Sequence, residues 1–503
     1  MGGSLGPAEH VSQLFTKSSD KTTSLQEAID GILDPAVQMV LRLECTNVSK
    51  VEYQLRLAGD RYSDDELQRF TNILRDGIGS TLQGDVGNDA WEQATTANAD
   101  GGLGSRAAEE IALPAYIASR VASREVAKRV FHQIEEAGLA ESGVLLTEYD
   151  SRTQRAERRL LTTVASDEDV TEICNAIASG YEASRKWWEQ LEVSGDHDML
   201  ANEHGLVGAA SRDVEDLDSG DLNFMSPYVN IHLQHKIMRT LDKQKMRVQR
   251  QRLETAGAEE DIRRLDDLQD HVHQNHDWWK ALNHNTHALL SGNEWVTAMR
   301  LRLGAARSLT DNVCASCGQS MLDSKGYHAL CCARSESTIG HNRLRDVVAS
   351  HFVKADPGTA IEVEGLCPQD PRARPADILS RAPHNTKIIA VDIGIKAPHA
   401  SNAGTDALET MRADKIDKYS RHREDLELQG IVYEPLILSA YGRRNPNATN
   451  MIKLAAAKAA RRQGSSKCSR TYQSWCRAYA LEVWRRAAQM VHRCMRPCVE
   501  EET

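Results

Sequence analysis

The sequence is poor in aromatic residues, in long hydrophobic runs and in cysteine, and each shortage excludes a class of protein. Phe, Tyr and Trp make up 5% of the 503 residues, so the hydrophobic cores must consist mainly of aliphatic side chains. No segment approaches the roughly 18–20 uninterrupted apolar residues of a membrane-spanning helix. The first fifteen residues also lack the charged head and apolar centre of a signal peptide. We therefore expect an intracellular protein that has no membrane partner.

Cysteines are few for this length, but they are clustered. Eleven are present, and Cys314, Cys317, Cys331 and Cys332 lie within 19 residues. Such clustering is typical of a metal site in a reducing compartment rather than of a disulfide framework. The order Cys314-x2-Cys317-x10-His328-x3-Cys332 has the spacing of a CCHC zinc knuckle, in which two turns supply four tetrahedral ligands. The spacing predicts a structural zinc site within residues 311–335, with Cys331 as the alternative to Cys332.

The formal net charge of −11 conceals a strong asymmetry along the chain. Residues 443–499 contain 13 Lys and Arg against one acid, a net charge of +12, which leaves −23 for the rest. A basic C-terminal segment attached to an acidic body indicates a polyanionic partner. The alternative is a solvated helix face. The candidate nucleic-acid contacts are Arg443, Arg444, Arg461, Arg462, Arg477, Arg485 and Arg486.

Strand-like patterns are nearly absent before residue 355, and the pattern changes after that. Apolar residues spaced by three and four predict an α-helical body over residues 21–305, preceded by a flexible N-terminus over residues 1–20. Residues 336–445 read as a mixed α/β unit in the order αβββαβ, and residues 446–503 as a basic helical tail. The fold class is therefore mixed and mainly helical. The predicted helices of the α/β unit span 337–353 and 406–428, and the predicted strands span 359–366, 376–380, 387–395 and 431–440.

Two carboxylates stand out in the predicted strands. Asp377 opens one strand, and Asp392 lies inside the apolar run Ile-Ile-Ala-Val-Asp-Ile. A buried carboxylate is costly unless it is paired or bound to a metal ion. A turn over residues 381–386 would bring both acids to neighbouring strands, which forms an oxygen site suited to Mg²⁺. Such an ion can polarise a phosphodiester and activate water; the alternative is two strand-end acids at turns.

Lys415 and Tyr419 form a third element of the candidate site. They are four residues apart on a predicted helix, so one helix face presents both. A lysine beside a metal-bound water can orient that water or neutralise developing charge. Taken alone, this pattern is that of an ordinary charged helix.

Together these motifs resemble the C-terminal half of non-LTR retrotransposon proteins that carry a restriction-like endonuclease of the PD-(D/E)XK superfamily. The matching segments are HALCC, GHNRLRD, RPADIL, IIAVDIGI and KIDKYSRH, which with the CxxC turn span residues 314–422. The helical body is similar to the region that follows the reverse-transcriptase palm in such proteins. That likeness rests on WEQA from Trp91, GGLGSR from Gly101, AYIAS from Ala115 and MRLRLG from Met299.

The resemblance implies metal-dependent nicking of DNA in the nucleus. Asp377 and Asp392 would bind Mg²⁺ or Mn²⁺. Gly394 stands where many members have lysine, so Lys415 would replace the strand lysine, with Lys396 as the second candidate. Glu364, or Glu362 two residues before it, would be a third carboxylate. The implied partners are DNA, retroelement RNA and a polymerase-bearing protein in trans. The rival hypothesis is a catalytically inactive, domesticated or decayed fragment that binds zinc and nucleic acid.

One motif points misleadingly to a polymerase. Tyr62-Ser63-Asp64-Asp65 matches the YxDD motif of reverse transcriptases, but its flanks are polar and too little chain precedes it for fingers and palm. Ser63 followed by three acids is instead the signature of a helix N-terminus. We therefore predict that this segment starts a helix and that the chain alone is not a reverse transcriptase.

Overall fold

The computed structural model describes residues 7–141, 143–194, 226–282, 290–306, 313–332, 336–368, 370 and 373–495. Over these residues the protein is mainly helical and contains one four-stranded mixed sheet. None of the described helices combines the length and the apolar composition needed to cross a bilayer. The α-helices are α1 Ala8–Asp30, α2 Pro35–Leu41, α3 Glu52–Ala58, α4 Asp64–Thr81, α5 Asn88–Ala94, α6 Ala108–Glu136, α7 Val144–Leu161, α8 Asp167–Ser194, α9 Ser226–Thr255, α10 Glu259–Leu268, α11 Gly292–Leu303, α12 Tyr327–Cys332, α13 Glu336–Ala355, α14 Ala407–Ser420, α15 Arg423–Leu428, α16 Pro446–Arg462 and α17 Cys468–Met495.

The N-terminal segment differs from the prediction. Residues 8–20 belong to α1 rather than to a flexible terminus. Val11 and Phe15 are each 1% exposed, and the ring of Phe15 lies 4.5 Å from that of Tyr62. Two apolar side chains four residues apart therefore anchor the first half of this helix.

The YxDD-like tetrapeptide starts a helix, as predicted. The Ser63 amide donates to Glu66 Oε2 over 2.9 Å, and the Glu66 amide donates to Ser63 Oγ over 3.3 Å. This reciprocal pair is a capping box at the start of α4. Asp64 and Asp65 occupy the first helical turn, where the helix dipole favours negative charge.

The chain divides into two compact units. The first consists of the described parts of residues 1–26, 45–74 and 106–248. Its main core lies among α6, α7, α8 and α9, and it includes Tyr116, Val121, Leu160, Ile173 and Ile237.

The second unit consists of the described parts of residues 27–44, 75–105 and 249–503. Its first core joins α11, the cysteine-rich segment and α17 through Trp295, Leu330 and Trp484. Trp278 belongs to the same core and stacks on Trp484 with ring centroids 4.8 Å apart. The predicted boundary near residue 305, between a helical body and later domains, is therefore not a boundary of this structure. Large aromatic side chains from both sides of it share one core.

The sheet has the order β1-β2-β3-β4, within the predicted succession αβββαβ. The strands are β1 Ala360–Ile361, β2 Ile378–Ser380, β3 Ile388–Lys396 and β4 Ile431–Ser439; β1, β2 and β3 pair antiparallel, and β3 pairs parallel with β4. The first strand is shorter than predicted, because Glu362 has a φ of +51° and leaves the ladder. The predicted helix over 406–428 is divided into α14 and α15.

The two faces of β3 have different surroundings. Ile389, Val391 and Ile393 belong to a core with α13, α16 and α17. Side chains alternate along a strand, so Asp392 and Gly394 face the opposite side, towards α14. The sheet thus separates a hydrophobic face from a face that can hold polar chemistry.

The predicted basic tail is part of this core over residues 446–495. Ile452 and Ala456 of α16, and Trp475, Tyr479 and Val483 of α17, are buried against α13 and the sheet. The sequence predicts a basic tail from its charged residues, but the apolar stripe between those residues determines how these helices pack.

Candidate functional site

Four side chains of the cysteine-rich segment converge on one point. The ligand atoms of Cys314, Cys317, His328 and Cys332 all lie within 4.8 Å of one another. The Sγ atoms of Cys314 and Cys332 are 3.6 Å apart, as are Cys317 Sγ and His328 Nε2. A tetrahedron with Zn–S bonds of about 2.3 Å has edges of about 3.8 Å. This cluster could therefore hold a metal ion such as zinc.

Two short elements position the ligands. Cys314 and Cys317 lie on a tight turn closed by the Gly318 amide, which donates to the Cys314 carbonyl over 2.7 Å. His328 and Cys332 are four residues apart on α12 and share one helix face. Cys331 is exposed and does not belong to the cluster, so the structure selects Cys332 as the fourth candidate ligand.

The electrostatics of the cluster favour a bound cation. Backbone amides of Ser320 and Gln319 donate to Cys317 and lower the pKa of its thiol to about 5. Burial raises the pKa of Cys332 to about 12, so a neighbouring positive ion would be needed to hold it as thiolate. Thiolates are the form in which cysteine binds metals.

The sheet brings together the two predicted aspartates. Ile378 pairs with Val391, and the Asp377 amide donates to the Val391 carbonyl over 2.9 Å, so Asp377 lies opposite Asp392. Asp377 Oδ2 also accepts from the Ile393 amide over 2.7 Å. These bonds fix both carboxylates at neighbouring positions on the sheet.

Lys415 reaches Asp392 from α14. Its Nζ lies 2.6 Å from Asp392 Oδ1, and the hydroxyl of Tyr433 donates to Asp392 Oδ2, also over 2.6 Å. Burial raises the pKa of Asp392, and the charge of Lys415 opposes that rise. The site thus holds a buried carboxylate beside the ammonium group of Lys415.

Asp377 has a different environment. Its Oδ1 lies 3.3 Å from His341 Nε2. Burial alone would raise the pKa of Asp377, but the hydrogen bond and charge of His341, together with the Ile393 amide, hold it below its ordinary value. The two carboxyl pKa values are therefore shifted in opposite directions, a feature common among catalytic acids.

Gly394 gives the lysine its space. A Cβ at this position would lie 3.0 Å from Lys415 Cε and 2.7 Å from Ile437 Cδ1. Since real Cβ atoms essentially never approach within 3.0 Å, any side chain here would displace the Lys415 stem or the buried isoleucine. A lysine from the helix and a glycine on the strand are thus sterically linked.

The two glutamates predicted as a third carboxylate each pair with an arginine. Glu364 is 65% exposed and pairs with Arg374, and Glu362 pairs with Arg345. The expected third carboxylate is therefore not gathered here, because each acid has a closer arginine. Over the described residues, the Cys/His cluster alone brings three or more metal-ligating side chains within 4.8 Å.

Tyr419 contacts backbone rather than a carboxylate. Its hydroxyl donates to the Arg374 carbonyl over 3.1 Å, three residues before Asp377. It can therefore anchor the segment that leads into Asp377.

His341 and Tyr433 are site residues that sequence reasoning did not assign to the carboxylates. His341 lies within the GHNRLRD segment and Tyr433 within the predicted strand 431–440, and neither pattern by itself indicates a contact with Asp377 or Asp392. The sequence signal for Tyr433 is a hydroxyl-bearing side chain within an otherwise largely apolar predicted strand, and the structure pairs that strand with β3, which carries Asp392.

The predicted nucleic-acid contacts fall into two groups. Arg444, Arg485 and Arg486 are 2%, 8% and 6% exposed. Arg443 pairs with Asp267 and Asp406 at 2.7 and 3.0 Å. These four are therefore not presented to a polyanion, since they are committed to packing or to internal ion pairs. Arg461, Arg462 and Arg477 are exposed.

Comparison of the sequence with protein-family models and with curated proteins finds no match. Function is therefore inferred from the two clusters described above.

Proposed function

We propose that residues 336–495 form a metal-dependent DNA endonuclease domain with a restriction-like fold, in a DNA-binding protein derived from a retroelement. One observation carries the proposal: Lys415 Nζ lies 2.6 Å from Asp392 Oδ1, with Asp377 at the opposing strand position. Three residues from separate elements meet in the combination expected of a phosphodiesterase. The element order αβββαβ supports the same proposal. The chain would act on DNA, with retroelement RNA and a polymerase-bearing protein as further partners.

The donor set fits a hard divalent cation. Asp377 and Asp392 would hold Mg²⁺ or Mn²⁺, which prefer carboxylate oxygens, and the bound ion would supply Lewis-acid activation of water and phosphate. Lys415 would place a positive charge where the phosphate gains negative charge in the transition state. Tyr433 would orient Asp392 through its hydroxyl, and Tyr419 would hold the backbone before Asp377.

The Cys/His cluster would hold a structural zinc ion. The cluster packs on α17, because the Ala315 amide donates to the Cys494 carbonyl over 2.9 Å and Leu330 shares a core with Val491. A metal here would therefore stabilise the end of the helix that also supports the sheet.

A specific observation favours a second candidate, a zinc- and nucleic-acid-binding protein without catalysis. Both oxygens of Asp392 accept short hydrogen bonds from Lys415 and Tyr433, and Asp377 is bonded by His341 and the Ile393 amide. A polar cluster satisfied in this way can stabilise a fold without reacting.

A nicking assay on supercoiled plasmid with Mg²⁺ or Mn²⁺ separates the two candidates. We expect Asp377→Asn and Asp392→Asn each to lower nicking on the order of 100-fold or more, as for loss of a metal ligand in the chemical step. Glu364→Gln is the matched control, since its carboxylate lies with Arg374, and it should nick like the wild type. Circular dichroism must show that each variant is folded.

Folded wild type that binds DNA without nicking it would support the non-catalytic candidate. Equal nicking by the wild type and both aspartate variants would exclude Asp377 and Asp392 as the source of the activity.

A further inference from the structure

An exposed group of basic residues lies where α16 ends and α17 begins. We define the basic corner as Arg461, Arg462, Lys467, Arg470 and Arg477, all of which are exposed. The sequence contains no Asp or Glu between Glu434 and Glu482, so this whole stretch lacks local counter-charge.

Among the described residues, the side chains of the basic corner have no carboxylate partners. Within the described part of the chain, none of its five residues forms an ion pair, whereas the exposed Arg250, Arg252 and Arg423 each pair with an acid. Arg462 donates to the Ala355 carbonyl over 3.2 Å. The acid that follows it, Asp356, accepts instead from the Arg381 amide over 2.7 Å.

The packing of two helices holds the basic corner in place. Lys458, one turn before the end of α16, donates to the Arg381 carbonyl in the β2–β3 turn over 2.8 Å, which places the corner at the end of the sheet where β3 begins. Arg470 and Arg477 are seven residues apart on α17 and share a helix face. The opposite face buries Trp475 and Tyr479 in the core.

Grouped charges of one sign repel one another and attract a polyanion. Proteins that bind single strands combine such charge with aromatic rings on which bases stack. Here Trp475 and Tyr479 are buried and Tyr472 is half-buried against the same core, so charged side chains dominate the exposed surface of the corner. This combination suits the phosphate backbone of a duplex.

We propose that the basic corner binds duplex DNA through its phosphates, independently of base sequence. This proposal rests on the proposed function, because it takes DNA as the substrate. It assigns DNA contact to the five residues of the basic corner rather than to all the basic residues of 443–499. The charges buried at Arg444, Arg485 and Arg486 have no part in it.

Charge removal at the corner tests the proposal in the full chain. The variant is Arg461→Gln with Lys467→Gln and Arg470→Gln; Arg462 is kept because it bonds the Ala355 carbonyl. The matched control removes three exposed but paired charges, by Arg250→Gln with Arg252→Gln and Arg423→Gln. Binding of a fluorescein-labelled DNA duplex is measured by anisotropy between about 50 and 200 mM salt, without added Mg²⁺ or Mn²⁺.

We expect the corner variant to bind on the order of 10- to 100-fold more weakly, with the log–log salt slope reduced by about 0.9 for each phosphate that the variant no longer neutralises. The control should keep the wild-type affinity and slope. An unchanged slope and affinity in the corner variant would overturn the proposal, as would a weakening confined to single-stranded DNA.

The same proteins separate this inference from the proposed catalysis. Asp392→Asn should bind duplex like the wild type while losing nicking. If Asp392→Asn nicks normally but the corner variant loses duplex binding, DNA binding by the basic corner is supported and the catalytic assignment is wrong. If nicking depends on Asp392 but the corner variant binds duplex normally, the catalytic assignment is supported and DNA binding by the basic corner is wrong.

Discussion

Asp392 places a carboxylate inside an apolar strand, and its ion pair with Lys415 offsets the cost of burying that charge. The residue is 9% exposed, and Lys415 and Tyr433 bond its two oxygens. Removing one partner of a buried ion pair leaves an uncompensated charge, which costs more than the pair itself contributes. The pair therefore links fold stability to the candidate chemistry at this site.

We predict that Lys415→Met lowers the free energy of unfolding at neutral pH by about 3 kcal/mol. Asp392→Asn with Lys415→Met should recover most of that loss, because no buried charge remains. Without Lys415 the pKa of Asp392, already raised by burial, rises further. A carboxyl whose pKa is higher folded than unfolded loses stability as pH rises, so the penalty should be smaller at pH 5 than at pH 8. Urea unfolding at both pH values measures it.

An equal penalty at the two pH values would show that the lysine stabilises the protein by packing alone. Lys418→Met serves as the matched control, since Lys418 is an exposed lysine on the same helix.

Aspartates at Asp377 and Asp392 could be predicted as a pair because a strand–turn–strand pattern leaves few alternatives for their register. Glu364 could not be placed in this way. Its strand ends after Ile361, so its direction follows from the positive φ at Glu362 and from Arg374. Both are tertiary features.

At the level of elements, the cysteine-rich segment has little regular structure to hold it together. Its only described helix, α12, is six residues long, and Asp323 caps it by accepting from the Tyr327 and His328 amides over 2.9 and 2.7 Å. A metal ion bound there would add folding free energy to that of the shared hydrophobic core. Spacing predicted Cys314, Cys317 and His328 as candidate ligands, because CxxC and an i, i+4 pair on a helix are local geometries, but it left Cys331 open against Cys332.

We predict that the purified protein binds about one equivalent of zinc, as expected for a four-ligand site. Cys314→Ser with Cys317→Ser should lose it, since half of the ligands are removed. Cys331→Ser is the matched control and should keep it, because Cys331 is exposed and outside the cluster. Elemental analysis by mass spectrometry measures the ratio of metal to protein.

Retention of a full equivalent by the double variant would contradict the site. Loss of zinc in Cys331→Ser would show that Cys331 rather than Cys332 is the fourth ligand.

At the scale of the whole molecule, the second unit depends on its last two helices. Trp484 is fully buried and stacks on Trp278, while Trp475 stacks on His351 with ring centroids 4.8 Å apart. One helix therefore supports two hydrophobic cores of the unit. A large aromatic side chain removed from such a core costs about 3–5 kcal/mol.

We predict that truncation after Ala440 abolishes cooperative unfolding of the second unit, rather than merely weakening DNA binding. The truncated chain exposes the face of the sheet that α16 and α17 cover, which includes Val391 and Leu436. Near-ultraviolet circular dichroism and thermal unfolding measure the effect. The charge variant at the basic corner is the control, since it changes the surface of the same helices and should unfold like the wild type.

A truncated protein that keeps the wild-type unfolding transition would show that α16 and α17 are not needed for the second unit to fold. The sequence suggested that interpretation because its positive charges are easy to count, whereas the burial of each arginine is not.

By itself, the sequence determined the features that depend on local geometry. These are the mainly helical character, the order αβββαβ, the capping box at Ser63 and the spacing of the cysteine and histidine ligands. Tertiary structure decided the features that depend on distant residues meeting. It brought Tyr433 and His341 to the carboxylates, turned Glu364 away, buried Arg485 and Arg486 and joined α17 to the Cys/His cluster. The physical reason is that periodicity and capping act within a few residues, whereas burial and ion pairing depend on which surfaces come together.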